Sequence, residues 1–388
     1  MCIRDRHYIR TAFGNSEQTY GQEAHEPPSQ GILQGNGAGP ATWSAICTLI
    51  VNAMKEAGFG YKQWAVISKR AVTLPCFAFV DNADLIDTET ANDASTEDLL
   101  ISAQDALTTW ESLITSTGGA LAPPKSCCYL LDMVRQNGRW GYRHSKQDED
   151  LVLANNGDPQ VITRHKANVA NEVLGIQTRP DRKMQDERDC LLQKASQWAK
   201  VVHTKRLSPS EAWCCVQFTV MKTLEYPLVA TYLSRSDVDT NMAPILKAIL
   251  PKLGIQKKIP HSLLYGSTSV QGFNLKDPWV TQLVEHLQAT MLHQYRDAPS
   301  ADLHVENMEL LQCHVGSAVP FWELTFDLYG CLAPRSWMKA TWEHLDKTPL
   351  TLKGPKFTIS PKQARNDYLM DIFVQHDFDL ETLRVLNE

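Results

Sequence analysis

Apolar residues recur at helical spacing in several separated stretches of the chain. Trp43, Ile46, Cys47, Ile50, Val51 and Met54 fall on one face after the loop GNGAGP, and Gly58 closes the run, which predicts an amphipathic helix. The short apolar run 74–80, closed by Asp81 and Asn82 and followed by Leu85 and Ile86, predicts a β-hairpin with acidic residues at its turn. Ser95 with Asp98 forms a capping box opening a helix that carries Leu99, Leu100, Ala103, Leu107, Trp110 and Ile114, and Gly118 and Gly119 end it. Two strand-like runs, 127–133 and 139–143, follow around a turn at Asn137 and Gly138. The polar stretch 144–160 reads as a linker. Beyond it the periodicity is helical over 186–202, 208–233, 239–250, 278–295 and near 334–345, with no internal repeat.

The pattern is that of an α+β chain, and its 388 residues allow two or three domains with sizeable cores. No window reaches the ~18 consecutive apolar residues of a membrane helix, which excludes a helical membrane-spanning protein. Ten cysteines are scattered, twice as adjacent pairs (Cys127 with Cys128, Cys214 with Cys215), with no C-x-x-C spacing and no secretory signal before them. Reduced thiols in an intracellular, non-secreted protein are expected. His286 and His293 share a helix face but lack a third ligand at a recognisable spacing, so surface or half-buried histidines are expected rather than a zinc site. Residues 1–6 (MCIRDR) read as an adaptor-derived scar rather than as part of the fold.

Charge is unevenly distributed. Between Ala71 and Pro124 nine acids meet no Lys or Arg, a pattern expected of solvated loops and helix faces. From Gln160 to Pro260 sixteen cations face nine acids, a net of +7, and the remaining residues sum to −13 within the overall −6. Trp198, Trp213, Phe218, Tyr226 and Tyr232 interleave with the basic helices. The aromatics are expected in the helical core. The cations Lys183, Lys194, Lys200, Lys205 and Arg206 suit either a nucleic-acid backbone grip or a merely solvated face.

Three further features carry candidate chemistry: Gly31-Ile32-Leu33-Gln34-Gly35-Asn36-Gly37-Ala38-Gly39-Pro40 ahead of the first helix; Phe79-Val80-Asp81-Asn82 at the hairpin turn; and Gly118-Gly119-Ala120-Leu121-Ala122-Pro123-Pro124-Lys125-Ser126 after a helix. Taken singly, each is an ordinary turn, a solvated acid or a surface lysine. In this order the three resemble motifs B, C and D of a reverse-transcriptase palm. The stretch from His7 to Gly14 (HYIRTAFG) with Ser16 and Tyr20 is similar to the region ahead of motif B in reverse transcriptases of non-LTR-type retroelements of algae and protists. Glu172-Val173-Leu174-Gly175-Ile176 resembles the Leu-Gly strand on the primer-grip side, and MKTLEYPL from Met221 to Leu228 resembles the helical region that follows.

That resemblance implies an RNA-directed DNA polymerase acting on an RNA template and an RNA–DNA duplex, with Mg²⁺ or Mn²⁺ as cofactor. It implies metal ligation by Asp81, nucleotide and template contacts by Gln34, Gly35, Asn36 and Pro40, and a general-acid role toward pyrophosphate for Lys125. Two ions about 3.5–4 Å apart need converging carboxylates. Motif C of the family reads Asp-Asp, whereas Asn82 keeps one carbonyl acceptor and loses the charge. No counterpart of the motif A aspartate is found before motif B. The expectation is therefore a partial palm over 7–145 that is inactive as it stands. A linker and primer-grip-like strand over 146–180, a helical thumb-like region over 181–300 and a helical segment over 301–388 would follow. The alternative is a non-catalytic nucleic-acid-binding remnant or domesticated scaffold; a helix-rich interaction protein with a coincidental motif order is a third.

Overall fold

The computed structural model describes residues 10–11, 14–15, 39–80, 82–89, 95–136, 138–143, 150–154, 157–294, 296–352, 368–376 and 378–382. In chain order these form β1 (Arg10–Thr11), β2 (Gly14–Asn15), α1 (Gly39–Glu56), β3 (Tyr61–Trp64), β4 (Ala71–Leu74), β5 (Cys76–Phe79), β6 (Asn82–Leu85) and α2 (Thr96–Ser116). Then come β7 (Cys127–Tyr129), β8 (Met133–Gln136), β9 (Arg139–Tyr142), β10 (Val152–Leu153), β11 (Gln160–Val161), β12 (Thr163–His165), β13 (Asn171–Val173) and β14 (Ile176–Thr178). The rest is helical: α3 (Gln185–Thr204), α4 (Pro209–Cys215), α5 (Met221–Glu225), α6 (Arg235–Lys252), α7 (His261–Leu264), α8 (Pro278–Gln294), α9 (Pro299–Val315), α10 (Phe326–Tyr329), α11 (Trp337–Asp346) and α12 (Leu369–Gln375). Helices with small antiparallel hairpins make the chain α+β, as its patterning predicts.

The chain divides into two units: Met1–Lys62 with Thr73–Cys128 and Ser145–Arg164, and Gln63–Val72 with Tyr129–His144 and His165–Glu388. In the first unit α1 and α2 pack through Ile50, Met54, Ala106, Trp110 and Ile114, with Cys76 of β5 closing the cluster. The capping box of α2 forms as expected, Ser95 Oγ accepting from Asp98 N and the Asp98 carboxylate accepting from Ser95 N. Gly60 is required where it stands: its φ is +123°, and a Cβ would lie 2.7 Å from the Pro75 Cα.

Residues 150–154 and 157–162 do not behave as a linker. Leu153 and Ile162 are buried against Leu107 of α2, and the Gln104 side chain both donates to the Val152 carbonyl and accepts from its N–H. Two buried apolar positions, Leu153 and Ile162, hold the segment on the helix.

In the second unit α3 and α6 run parallel. Arg188 near the start of α3 reaches Asp237 near the start of α6, and at the other end Lys252 Nζ donates to the Lys205 carbonyl at 2.8 Å. Their shared core includes Leu191, Ala195, Val202, Val238, Met242, Ile245 and Ile249. Between them, the helix expected over 208–233 runs from α4 through a π-helical turn at Val216–Val220 into α5 without leaving helical backbone, and tightens into a 3-10 turn at Tyr226–Val229, where Pro227 has no N–H to continue the α ladder. A second cluster joins α8, α9 and α11 through Leu283, Met308, Leu311, Val315, Phe321 and Trp342. The nine cysteines among the described residues are free thiols. No helix among the described residues is long and apolar enough to cross a membrane.

Candidate functional site

The hairpin singled out by the sequence forms. β5 and β6 pair antiparallel with Cys76 opposite Leu85 and Phe79 opposite Asn82, which leaves a two-residue connection. Such tight connections demand φ above zero, and Val80 adopts +56°, a strained value for a β-branched side chain. Asp81 itself lies outside the described residues. Cys76 anchors the base of the hairpin in the core, where burial pushes its thiol up to about 11. Beyond the base, Asn82 is exposed, and Phe77 and Phe79 present large apolar surface, Phe79 being 61% exposed. Although much of Asp84 faces solvent, partial desolvation raises the pKa of its carboxyl. Further along, the Asp87 carboxylate accepts from Gly60 N and Ser102 Oγ, tying the segment after β6 to α2.

Gln34, Gly35 and Asn36 lie outside the described residues. Pro40 is exposed in the first turn of α1, where its missing N–H has no ladder partner to lose. At the far end of α2, Gly118 with φ +82° and Gly119 release the chain into a 3-10 turn, Pro123–Lys125, and Lys125 is exposed. Pro40, Asn82 and Lys125 are thus the described members of the expected polymerase site.

Among the described residues no three His, Cys, Asp or Glu side chains gather as a metal site. On the hairpin, Asn82 offers one neutral carbonyl oxygen where a two-magnesium centre needs a carboxylate. The described donor set does not fit a pair of magnesium ions.

The five cations expected along a nucleic acid separate into groups. Lys183 precedes α3 beside Asp181 at 3.8 Å, whereas Lys205 caps the opposite end of this 20-residue helix, about 30 Å away at 1.5 Å per residue. Half-buried Lys194 and exposed Lys200 are six residues apart and so point about 120° from one another. Lys200, Lys205 and Arg206 crowd the C-terminal end of α3, with Lys252 arriving from α6, where the helix dipoles favour positive charge. The aromatics divide as well. Trp198 and Trp213 pack on the core, but Phe218 and Tyr226 are exposed, which corrects the expectation of a buried set.

The Leu-Gly segment is a hairpin rather than a single strand. β13 and β14 pair around Leu174 and Gly175, with φ of +51° and +81°. The Gln177 N–H of β14 donates at 2.7 Å to the Glu187 carboxylate in the first turn of α3. Glu187 is fully buried, and desolvation raises its pKa.

Histidines also depart from expectation. His286 is buried; its Nε2 lies 2.8 Å from the Thr231 carbonyl and 3.1 Å from that of Leu228, so it donates there and is not offered to a metal. Its Nδ1 faces the Thr341 hydroxyl at 2.8 Å. His293 stands instead beside His304, ring centroids 5.5 Å apart. The second unit also holds a cleft whose walls include Trp279, Arg335 and His344. Of its lining residues, Lys183 and Tyr232 belong to the basic, aromatic-interleaved segment of the sequence. The lining comes from four segments some 40 to 55 residues apart, and no local spacing links them. No family model and no curated protein matches the chain.

Proposed function

We propose that the chain is a reverse-transcriptase-type palm with helical segments after it, and that it binds RNA or an RNA–DNA duplex without extending a primer. The observation that carries this reading is the paired β5–β6 hairpin whose two-residue connection contains Asp81, rooted by Cys76 in the α1–α2 core. The order of α1, hairpin, α2 and Lys125 is that of motifs B, C and D. In an active palm, magnesium ions held by converging carboxylates would stabilise the in-line displacement at the α-phosphate. Here Asn82 brings no charge to that role, so the residual function is binding. The basic C-terminal end of α3 supplies counter-charge for phosphates, an interaction that weakens as salt displaces it.

Fluorescence anisotropy with a labelled RNA–DNA template–primer tests this reading. Affinity is expected to fall by roughly tenfold or more between about 50 and about 200 mM salt, and to be lost on Lys200→Glu, Lys205→Glu and Arg206→Glu together. Binding indifferent to salt and to those changes would defeat the nucleic-acid reading. Primer extension by the unaltered chain with Mg²⁺ or Mn²⁺ would defeat its catalytic silence.

A further inference from the structure

The second unit encloses a cleft of about 830 Å³, within the range of about 300–1,000 Å³ typical of sites for small ligands. Three helices begin at its wall. Met184, Ser234 and Ser336 are the N-caps of α3, α6 and α11, and all three line the cleft. Each helix start directs main-chain N–H groups and the positive end of its dipole outward, an arrangement that favours anions. Ser234 and Ser336 cap their own helices through their hydroxyls, whereas Met184 gives α3 no side-chain cap.

The charged lining has the same sense, six cations against two acids. Much of this charge is already committed. Lys183 lies by Asp181, Arg188 by Asp189 and Asp237, Arg235 by Asp239 and Asp277, and Lys347 by Glu343. Asp237 is occupied in turn by the Ser234 cap, and Lys339 Nζ donates to the Ala333 carbonyl. Arg335 is different: it is exposed and its guanidinium has no ion pair among the described residues.

Two unpartnered polar atoms on the same wall give independent support. His344 is only 5% exposed, yet its Nε2 has no hydrogen-bond partner, and the imidazole is held in plane by Trp279 stacked at a centroid distance of 3.5 Å. Tyr232 Oη is likewise buried and unpartnered, within the electrostatic reach of Arg335 and Arg182 and, more weakly, of Asp181, whose carboxylate is itself paired with Arg179. Buried polar groups are rarely left without partners unless something else serves them. The open groups here are donors: a guanidinium, a phenol, the start of α3, and an imidazole nitrogen that donates in its Nε2–H tautomer. The carboxylates that could accept are spent.

We infer that this cleft binds a phosphate-bearing ligand, whose phosphate oxygens accept from Arg335, the Tyr232 hydroxyl, His344 Nε2 and the uncapped N-terminus of α3. The site is independent of the palm reading of the first unit. Two sources share this chemistry, a free nucleoside phosphate and the 5′-phosphate end of a nucleic acid.

Titration calorimetry on the full chain, with ADP and with one oligonucleotide carrying either a 5′-phosphate or a 5′-hydroxyl, tests the site and separates the sources. Saturable ADP binding, or preference for the 5′-phosphorylated oligonucleotide, is expected to weaken about tenfold or more in Arg335→Glu and measurably in Tyr232→Phe. Arg335 is exposed, so the fold should survive its replacement, and an unchanged circular dichroism melt would verify this. Absence of ADP binding together with equal binding of the two oligonucleotides would overturn the proposal. So would phosphate binding that both variants leave unchanged.

Discussion

The Tyr226 hydroxyl donates a 2.8 Å hydrogen bond to the carbonyl of Leu174, joining the 3-10 turn after α5 to the β13–β14 hairpin. Leu174 occupies the left-handed region, so the hydroxyl holds the tip of a turn that strains its own backbone. Tyr226→Phe should lower unfolding free energy by about 0.5–1.5 kcal/mol in urea melts. Leu174→Asn, which tolerates that conformation, should raise it by about 1 kcal/mol. A neutral Leu174→Asn would mean that the turn stores no strain.

Glu309 holds a second long-range tie. Its Oε2 accepts from the main-chain N–H groups of Ile67 at 2.7 Å and Ser68 at 2.9 Å, and the residue is 1% exposed. Glu309→Ala would leave both donors without their acceptor, at about 1–3 kcal/mol each, whereas Glu309→Gln keeps one carbonyl oxygen and should cost less. Equal melts for the two variants would contradict this account.

Asn241, in the middle of α6, is buried with neither amide atom hydrogen-bonded. Desolvating that amide without compensation destabilises the fold, so Asn241→Leu, similar in size and apolar, should stabilise the chain by about 1–3 kcal/mol. A loss of stability would show that the amide is served in solution.

Acid should weaken the second unit. Burial lowers the pKa values of His286, His304 and His344 to about 4. The unfolded chain titrates near 6.5, so between about pH 6.5 and 4 it binds more protons than the folded one. Stability is therefore complete above about pH 6.5 and falls by up to about 1.4 kcal/mol per pH unit for each histidine as pH drops through that window. Urea melts at pH 7.5, 6 and 5 measure the slope, and His344→Gln should remove about one third of it.

Local signals in the sequence mark several elements closely. The Ser95 and Asp98 box starts α2 where expected, and α3 extends beyond the expected 186–202 by one residue at its start and two at its end. The start of α6 lies four residues ahead of the expected 239, where a capping box of Ser234 and Asp237 opens the helix. Helix α9 falls almost wholly within the segment over 301–388 expected to be helical. The hairpin around Asp81 could be read because apolar alternation and a turn are neighbours in sequence. The cleft could not, since His344 and Met184 are brought together by packing alone.

The parallel course of α3 and α6 has a consequence during synthesis. The apolar stripe of α3, with Leu191, Ala195 and Val202, meets its partner helix only after the ribosome has added the residues up to Lys252. For some fifty residues of elongation, a few seconds at about 5–20 residues per second, the part of that stripe that α6 covers stays open on the nascent chain. Chaperones and proteases have their best access to this unit in that interval.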